Sequence, residues 1–202
     1  TQPSRLWALD FVDAQNPLAG GTYRMLVDGT EGHFMFDNLT VDADGKVWLV
    51  EDVGGNARSG RTWVYDPATD KQYEVSKHDV ARFGEGPVNS TQTGQTVNPT
   101  APFNNNEETS GIVDVTDLLG DADTQAFLVD VQAHYNIATD PRFAGDAATA
   151  ARARAELVEG GQLLVMYVDE VKNGGLGNDD LNGGYLADNI SGGNGNDTIE
   201  GG

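Results

Sequence analysis

The sequence predicts an all-β chain: a partial β-propeller of about two and a half blades over residues 1–170, then a separate repeat region over residues 171–202. Three observations carry this expectation. Short alternating runs bounded by Gly, Asn, Asp and Pro recur through the first part, the pattern of half-buried strands. Four of these runs, LTVD, VWLVE, TWVYD and QYEVS, follow one another at the spacing of an antiparallel meander, the size and order of one blade. The chain then closes on a period of nine residues.

Composition narrows what such a chain can bind. Thirty-two acidic residues against 12 Lys and Arg give a net charge of −20, which repels nucleic acid and anionic membrane and attracts divalent cations. With no cysteine there is neither a disulfide framework nor a thiolate metal site. No apolar run reaches the length of about 18 residues that a membrane-spanning helix needs.

Taken in order, RLWALD at 5–10 and GTYRMLVD at 21–28 read as a hairpin, the outer two strands of a first blade. RTWVYD at 61–66 repeats the Arg, Trp and Asp of RLWALD. In the second blade, a two-residue turn at Asp44-Gly45 pairs Val41 with Trp48 and Leu39 with Val50. Asn38 then lies opposite Glu51, and Asp37 opposite Asp52. Four oxygen-bearing side chains gather at one hairpin end, either around a cation or as a hydrated loop end. Trp7, Trp48 and Trp63 are expected in the core between blades.

The loop at 83–106 is rich in Gly, Thr, Asn and Pro, and its length marks it as functional or mobile. A third blade follows, with SGIVDV innermost, AFLVDVQ second and GQLLVMYVD third. Between the last two, Asp146 caps an Ala-rich surface helix that Gly160-Gly161 stops. Glu107 and Glu108 precede this inner strand as Asp37 and Asn38 precede the other, and Gln132 and His134 end its partner. Innermost strands line a propeller's channel, so both clusters are expected at one channel mouth, with His134 either a ligand or a hydrogen-bonded interface residue. Because these strands stop short of a closed ring, an N-terminal portion of the same protein is expected to supply the remaining blades.

From residue 174 the units GGLGNDDLN, GGYLADNIS and GGNGNDTIE place Gly-Gly first, Asp179, Asp188 and Asp197 sixth, and Leu181, Ile190 and Ile199 eighth. This resembles the nonapeptide calcium repeat of RTX proteins; a disordered Gly/Asn/Asp tail is the competing reading. The resemblance implies a short parallel β-roll in which Asp179 and Asp197, two units apart, share Ca²⁺ with backbone from Gly175, Gly177, Gly193 and Gly195, while Asp188 faces the other side. It also implies type I secretion to a calcium-rich exterior.

The phrases GTEGHFMFDNLTVDADGKVWLVEDVGGN, NNNEETSGIVDVTDLLG and FLVDVQAHY resemble the C-terminal part of the PhoX-type alkaline phosphatase family, over about residues 4 to 169. That likeness implies a secreted, metal-dependent phosphomonoesterase with calcium, and iron in some members, clustered in a propeller channel. Glu51 and Glu108 carry over as metal ligands, with Asp37, Asn38, Asp52, Glu107 and His134 beside them. Arg58, Arg61 and His134 are the candidates for work on a phosphate ester. The family's cysteine ligand and N-terminal phosphate-binding residues have no counterpart here. Two other functions stay open: a non-catalytic extracellular structural or adhesive protein, and a calcium-dependent lactone or ester hydrolase.

Overall fold

The computed structural model describes residues 3–54, 58–86, 97–121, 124–136, 140, 146–156, 159–169, 171–173, 177–182 and 189–200. Strands dominate, in separate small sheets that do not close on one another. β1 (Leu6–Phe11) and β2 (Gly21–Val27) form an antiparallel pair. β3 (Phe36–Val41), β4 (Val47–Glu51), β5 (Arg61–Asp66) and β6 (Lys71–Lys77) form the expected four-stranded meander in sequence order. Asp79 caps the short helix α1 (Val80–Phe83) by accepting the Ala81 N–H at 2.9 Å.

In the third sheet the inner strand is split into β7 (Glu107–Glu108) and β8 (Ile112–Asp114). A one-turn helix α2 (Thr116–Leu119) leads to β9 (Thr124–Asn136), which pairs with both inner segments. Helix α3 (Ala147–Glu156) precedes β10 (Glu159–Asp169), the outer strand. Asp146 caps α3 through the Ala148 and Thr149 N–H groups. The expected stop at Gly160-Gly161 is corrected: α3 ends earlier, and both glycines lie within β10. A Cβ at Gly160 would sit 2.1 Å from the Tyr135 ring, so the glycine there makes room for an aromatic side chain across the sheet.

The β3–β4 register is also corrected. Val41 faces Val47 and Thr40 faces Trp48, one step from the expected pairing. The turn is longer than two residues: Asp42 N–H bonds Lys46 O and Gly45 N–H bonds Asp42 O, both at 3.1 Å, with Gly45 at φ 82°. This is a three-residue loop closed by a left-handed glycine, one residue longer than the expected turn. A second irregularity between Phe36 and Leu39 then brings Phe36 opposite Glu51 and turns Asp37 and Asn38 outward.

β4 carries the core on both faces. Trp48 and Val50, with Val64 of their own sheet, point to the third sheet and join Ile112, Phe127 and Val129; the Trp48 and Phe127 ring centroids are 4.0 Å apart. Leu49 points the other way, to Leu6, Val27 and Tyr65. Burial of each such side chain contributes about 1.5–3 kcal/mol, so this strand ties three sheets together. Trp63 packs against the second cluster, as expected. Trp7 does not: it is 44% exposed, stacked on Tyr23 on the face of β1–β2 that no other described element covers.

In the tail, β11 (Val171–Asn173) pairs in parallel with β13 (Asn189–Ser191), and β12 (Asp180–Asn182) with β14 (Thr198–Glu200). Each pair joins segments two nine-residue units apart, with Leu181 opposite Ile199. Among the described residues, no helix is long and apolar enough to cross a membrane.

Candidate metal centre

Glu51 ends β4 and Asp52 follows it in extended chain, so the two acidic neighbours are separated, their side chains pointing to opposite sides. Glu51 turns toward the β1–β2 side and is fully buried. Its Oε1 accepts from Phe34 N and Trp63 Nε1, both at 3.0 Å, and ion-pairs with the buried Arg58 guanidinium. Burial pushes the Glu51 carboxyl up and the Arg58 guanidinium down, each against the attraction of its partner. Arg58 also stacks over Phe34 at 4.6 Å. Arg61, buried too, ion-pairs with Glu74 at 3.2 Å and Glu85 at 3.3 Å.

Asp52 turns the other way and meets Glu108, which follows the same alternation on β7. Its contact with Asp52, followed by burial, holds the Glu108 carboxyl up at about 6. Two carboxyls sharing one space resist double ionisation, which is the cause of that shift. His134 sits beside the pair, with Nε2 3.5 Å from Glu108 Oε1 and Nδ1 2.7 Å from Glu159 Oε2. The Glu159 hydrogen bond is the main reason the His134 imidazole is raised. Asn106 brings an amide oxygen near Asp52: a Cβ at Gly54 would lie 2.8 Å from Asn106 Oδ1 and 3.1 Å from Asp52 Oδ1. A glycine at 54 therefore lets both oxygens approach the loop after β4.

The structure thus sets Glu108 between two neighbours, Asp52 and His134, and leaves the other candidates elsewhere. Asp37 and Asn38 are exposed; Asn38 donates to Asp37 Oδ2 at 3.2 Å and to the Ser110 carbonyl. Glu107, 1% exposed, points inward to Gly60 N–H and His78, each at 3.3 Å. Among the described residues, no three His, Cys, Asp or Glu side chains converge on one metal-sized space. A cation at Asp52 and Glu108 would have to complete its shell with amide or backbone oxygens, and Asn106 Oδ1 lies with Asp52 Oδ1 beside Gly54. Sequence reading passed over Asn106 and Glu159. Glu159 sits beside the Gly160-Gly161 pair read as a helix stop, yet it is the residue that meets His134 across the sheet.

The tail presents a second oxygen-rich place. Asp197 Oδ1 accepts the Asp179 N–H at 3.0 Å, and the Thr198 N–H donates to Asp179 O at 2.8 Å. Asn178 Oδ1 accepts the Asn196 N–H at 2.9 Å, so equivalent positions of two units bond each other. A Cβ at Gly195, whose φ is +144°, would lie 1.8 Å from Gly177 O. Only glycine permits that approach. Gly193 has φ 78°, and Gly175 and Asp188 lie outside the described residues. The donors present are carboxylate, amide and carbonyl oxygens, which suit a hard cation such as Ca²⁺.

Comparison with protein-family models, with curated proteins and with solved structures gives no match for this chain.

Proposed function

We propose that this chain belongs to a secreted, calcium-binding extracellular protein in which a PhoX-like propeller module is followed by RTX-type repeats. The observation that carries the reading is the parallel pairing of tail segments two units apart, with Gly195 against Gly177 and Asp197 against Asp179. A β-roll needs that stacking, and three units bury too little apolar surface to offset chain entropy of about 1–2 kcal/mol per residue without bound cations. Amide exchange of the tail with calcium and with chelator tests this. Protection of Thr198 only with calcium supports the reading, and equal protection in both conditions overturns it.

For the body, the β3–β6 meander and the side-by-side placement of β3 and β8 support a propeller, with Asp52 and Glu108 at its channel mouth. A phosphomonoesterase using calcium or iron there is the activity the family likeness implies. One observation favours the non-catalytic structural role instead: Arg58 and Arg61, the candidate phosphate clamps, are both consumed by ion pairs away from the Asp52–Glu108 pair. Hydrolysis of a chromogenic phosphate monoester with calcium and iron supplied separates the two roles.

A further inference from the structure

A cavity of about 360 Å³ lies between the end of β6, α1 and the β9–β10 pair. Its wall includes Phe83, Val129, Leu164 and Met166, and two polar side chains that touch each other, His78 and Thr109. His78 Nε2 is 2.7 Å from Thr109 Oγ1. On the other side of the ring, Nδ1 is 3.3 Å from Glu107 Oε1 and has no hydrogen-bond partner among the described residues. Glu107 and Thr109 are 1% and 3% exposed.

The Nε2-to-hydroxyl contact is that of a base–nucleophile pair, and the Glu107 carboxylate lies within ion-pairing distance of the opposite ring nitrogen without hydrogen-bonding to it. The backbone holds the three in place. The His78 N–H donates to Gly60 O at 2.9 Å, while the Gly60 N–H donates to Glu107 Oε1. A Cβ at Gly60 would lie 3.0 Å from His78 Cε1, so a larger residue there would press on the imidazole. The Thr109 N–H bonds the Glu51 carbonyl at 3.4 Å. None of the three groups belongs to the Asp52–Glu108 cluster.

We propose that Thr109, with His78 as general base and Glu107 as positioning residue, is an acyl-accepting nucleophile toward carboxylic esters with a small apolar acyl group. The apolar wall takes the acyl chain. Thr109 Oγ1 forms a bond to the ester carbonyl carbon as its proton passes to His78 Nε2. The bond from that carbon to the alcohol oxygen then breaks, and His78 returns the proton to the departing alcohol. Water, deprotonated by the same imidazole, adds to the acyl carbon; the bond from that carbon to Thr109 Oγ1 breaks, the imidazolium returns the proton to Oγ1, and the carboxylic acid leaves. The net reaction is ester plus water to acid plus alcohol, with no metal or redox partner.

The test is covalent capture and turnover on the whole chain. A small alkyl fluorophosphonate should leave its adduct on Thr109 in the unaltered protein, located by peptide mass spectrometry, and Thr109→Ser should keep the labelling. Hydrolysis of p-nitrophenyl butyrate should fall by at least about 100-fold in Thr109→Val and His78→Gln, the size of a lost general base. A hydroxyl that only bridges two sheets would take no adduct. Folded, unaltered protein without modification at Thr109 overturns the proposal, and that result does not depend on any variant folding.

Discussion

The indole N–H of Trp48 donates to Asp42 Oδ2 at 2.8 Å, and through this bond the β3–β4 turn is tied to the central core. The same carboxylate accepts from Gln125 Nε2 at 3.2 Å, on the neighbouring sheet, and from the Asp44 and Lys46 N–H groups at 3.0 and 2.9 Å. Asp42→Ala therefore strands a buried indole donor and a side-chain amide as well as two turn amides. The expected loss is about 2–4 kcal/mol in urea unfolding, from hydrogen bonds to a charged group at about 1.5–3 kcal/mol each with partial rescue by water. A change under about 0.5 kcal/mol would show that the carboxylate is dispensable.

Arg58→Ala should be among the most damaging single changes, costing about 3–5 kcal/mol, because it leaves Glu51 charged, fully buried and without its cation. Glu51→Gln combined with Arg58→Met should recover most of that loss. Neither variant should change bound calcium measured by elemental analysis, since Glu51 faces away from Asp52 and Glu108. Loss of metal in Glu51→Gln would return Glu51 to the metal centre.

The Glu108 carboxyl predicts a pH dependence. Its folded value of about 6 lies above the ordinary 4.5, so between those values the folded state holds more proton than the unfolded one. Stability should fall as pH rises through that window, by about 2 kcal/mol at most. His134, raised by Glu159 and Glu108, acts in the same direction: its contribution is complete below about pH 6.5 and is lost as pH climbs through its folded value. Asp52→Asn should flatten the Glu108 part, seen in thermal melts from pH 4 to pH 7. Calcium bound at the pair should flatten it as well, by replacing the shared proton.

Gly195→Ala should abolish the tail's stacking, since the added methyl would overlap the Gly177 carbonyl and force alanine to a φ of +144°. The readout is loss of calcium-dependent protection at Thr198, with the β3–β6 sheet unchanged. Retained protection would mean that units two apart do not pack as described.

The two outer sheet faces carry Trp7, Leu9, Tyr23 and Met25 on one side and Leu163 and Tyr167 on the other, all at least 44% exposed. Apolar surface of this kind is normally covered. In the proposed ring, further blades of the same protein cover both faces, so the purified protein should carry additional associated mass. A monodisperse folded species of 21.5 kDa that binds no apolar dye would remove the propeller reading.

What the sequence determined by itself was local: alternation placed the strands, Asp146 and its Ala-rich run marked α3, and the nine-residue period marked the three tail units. These features depend on neighbours along the chain, where period and turn chemistry act directly. Tertiary structure decided everything that depends on facing. Asp42, read as part of a strand, became the hub of the turn because one extra loop residue shifted the register and turned its carboxylate onto Trp48. Glu51 and Asp52 are adjacent in sequence and read as one pair of ligands, yet one is sealed in an ion pair and the other meets Glu108, because successive side chains at the end of β4 point to opposite sides. Nothing within the sequence brings His78 to Thr109 or Glu159 to His134. Those contacts arise only when sheets and strands distant along the chain pack, and packing is fixed by the whole core together.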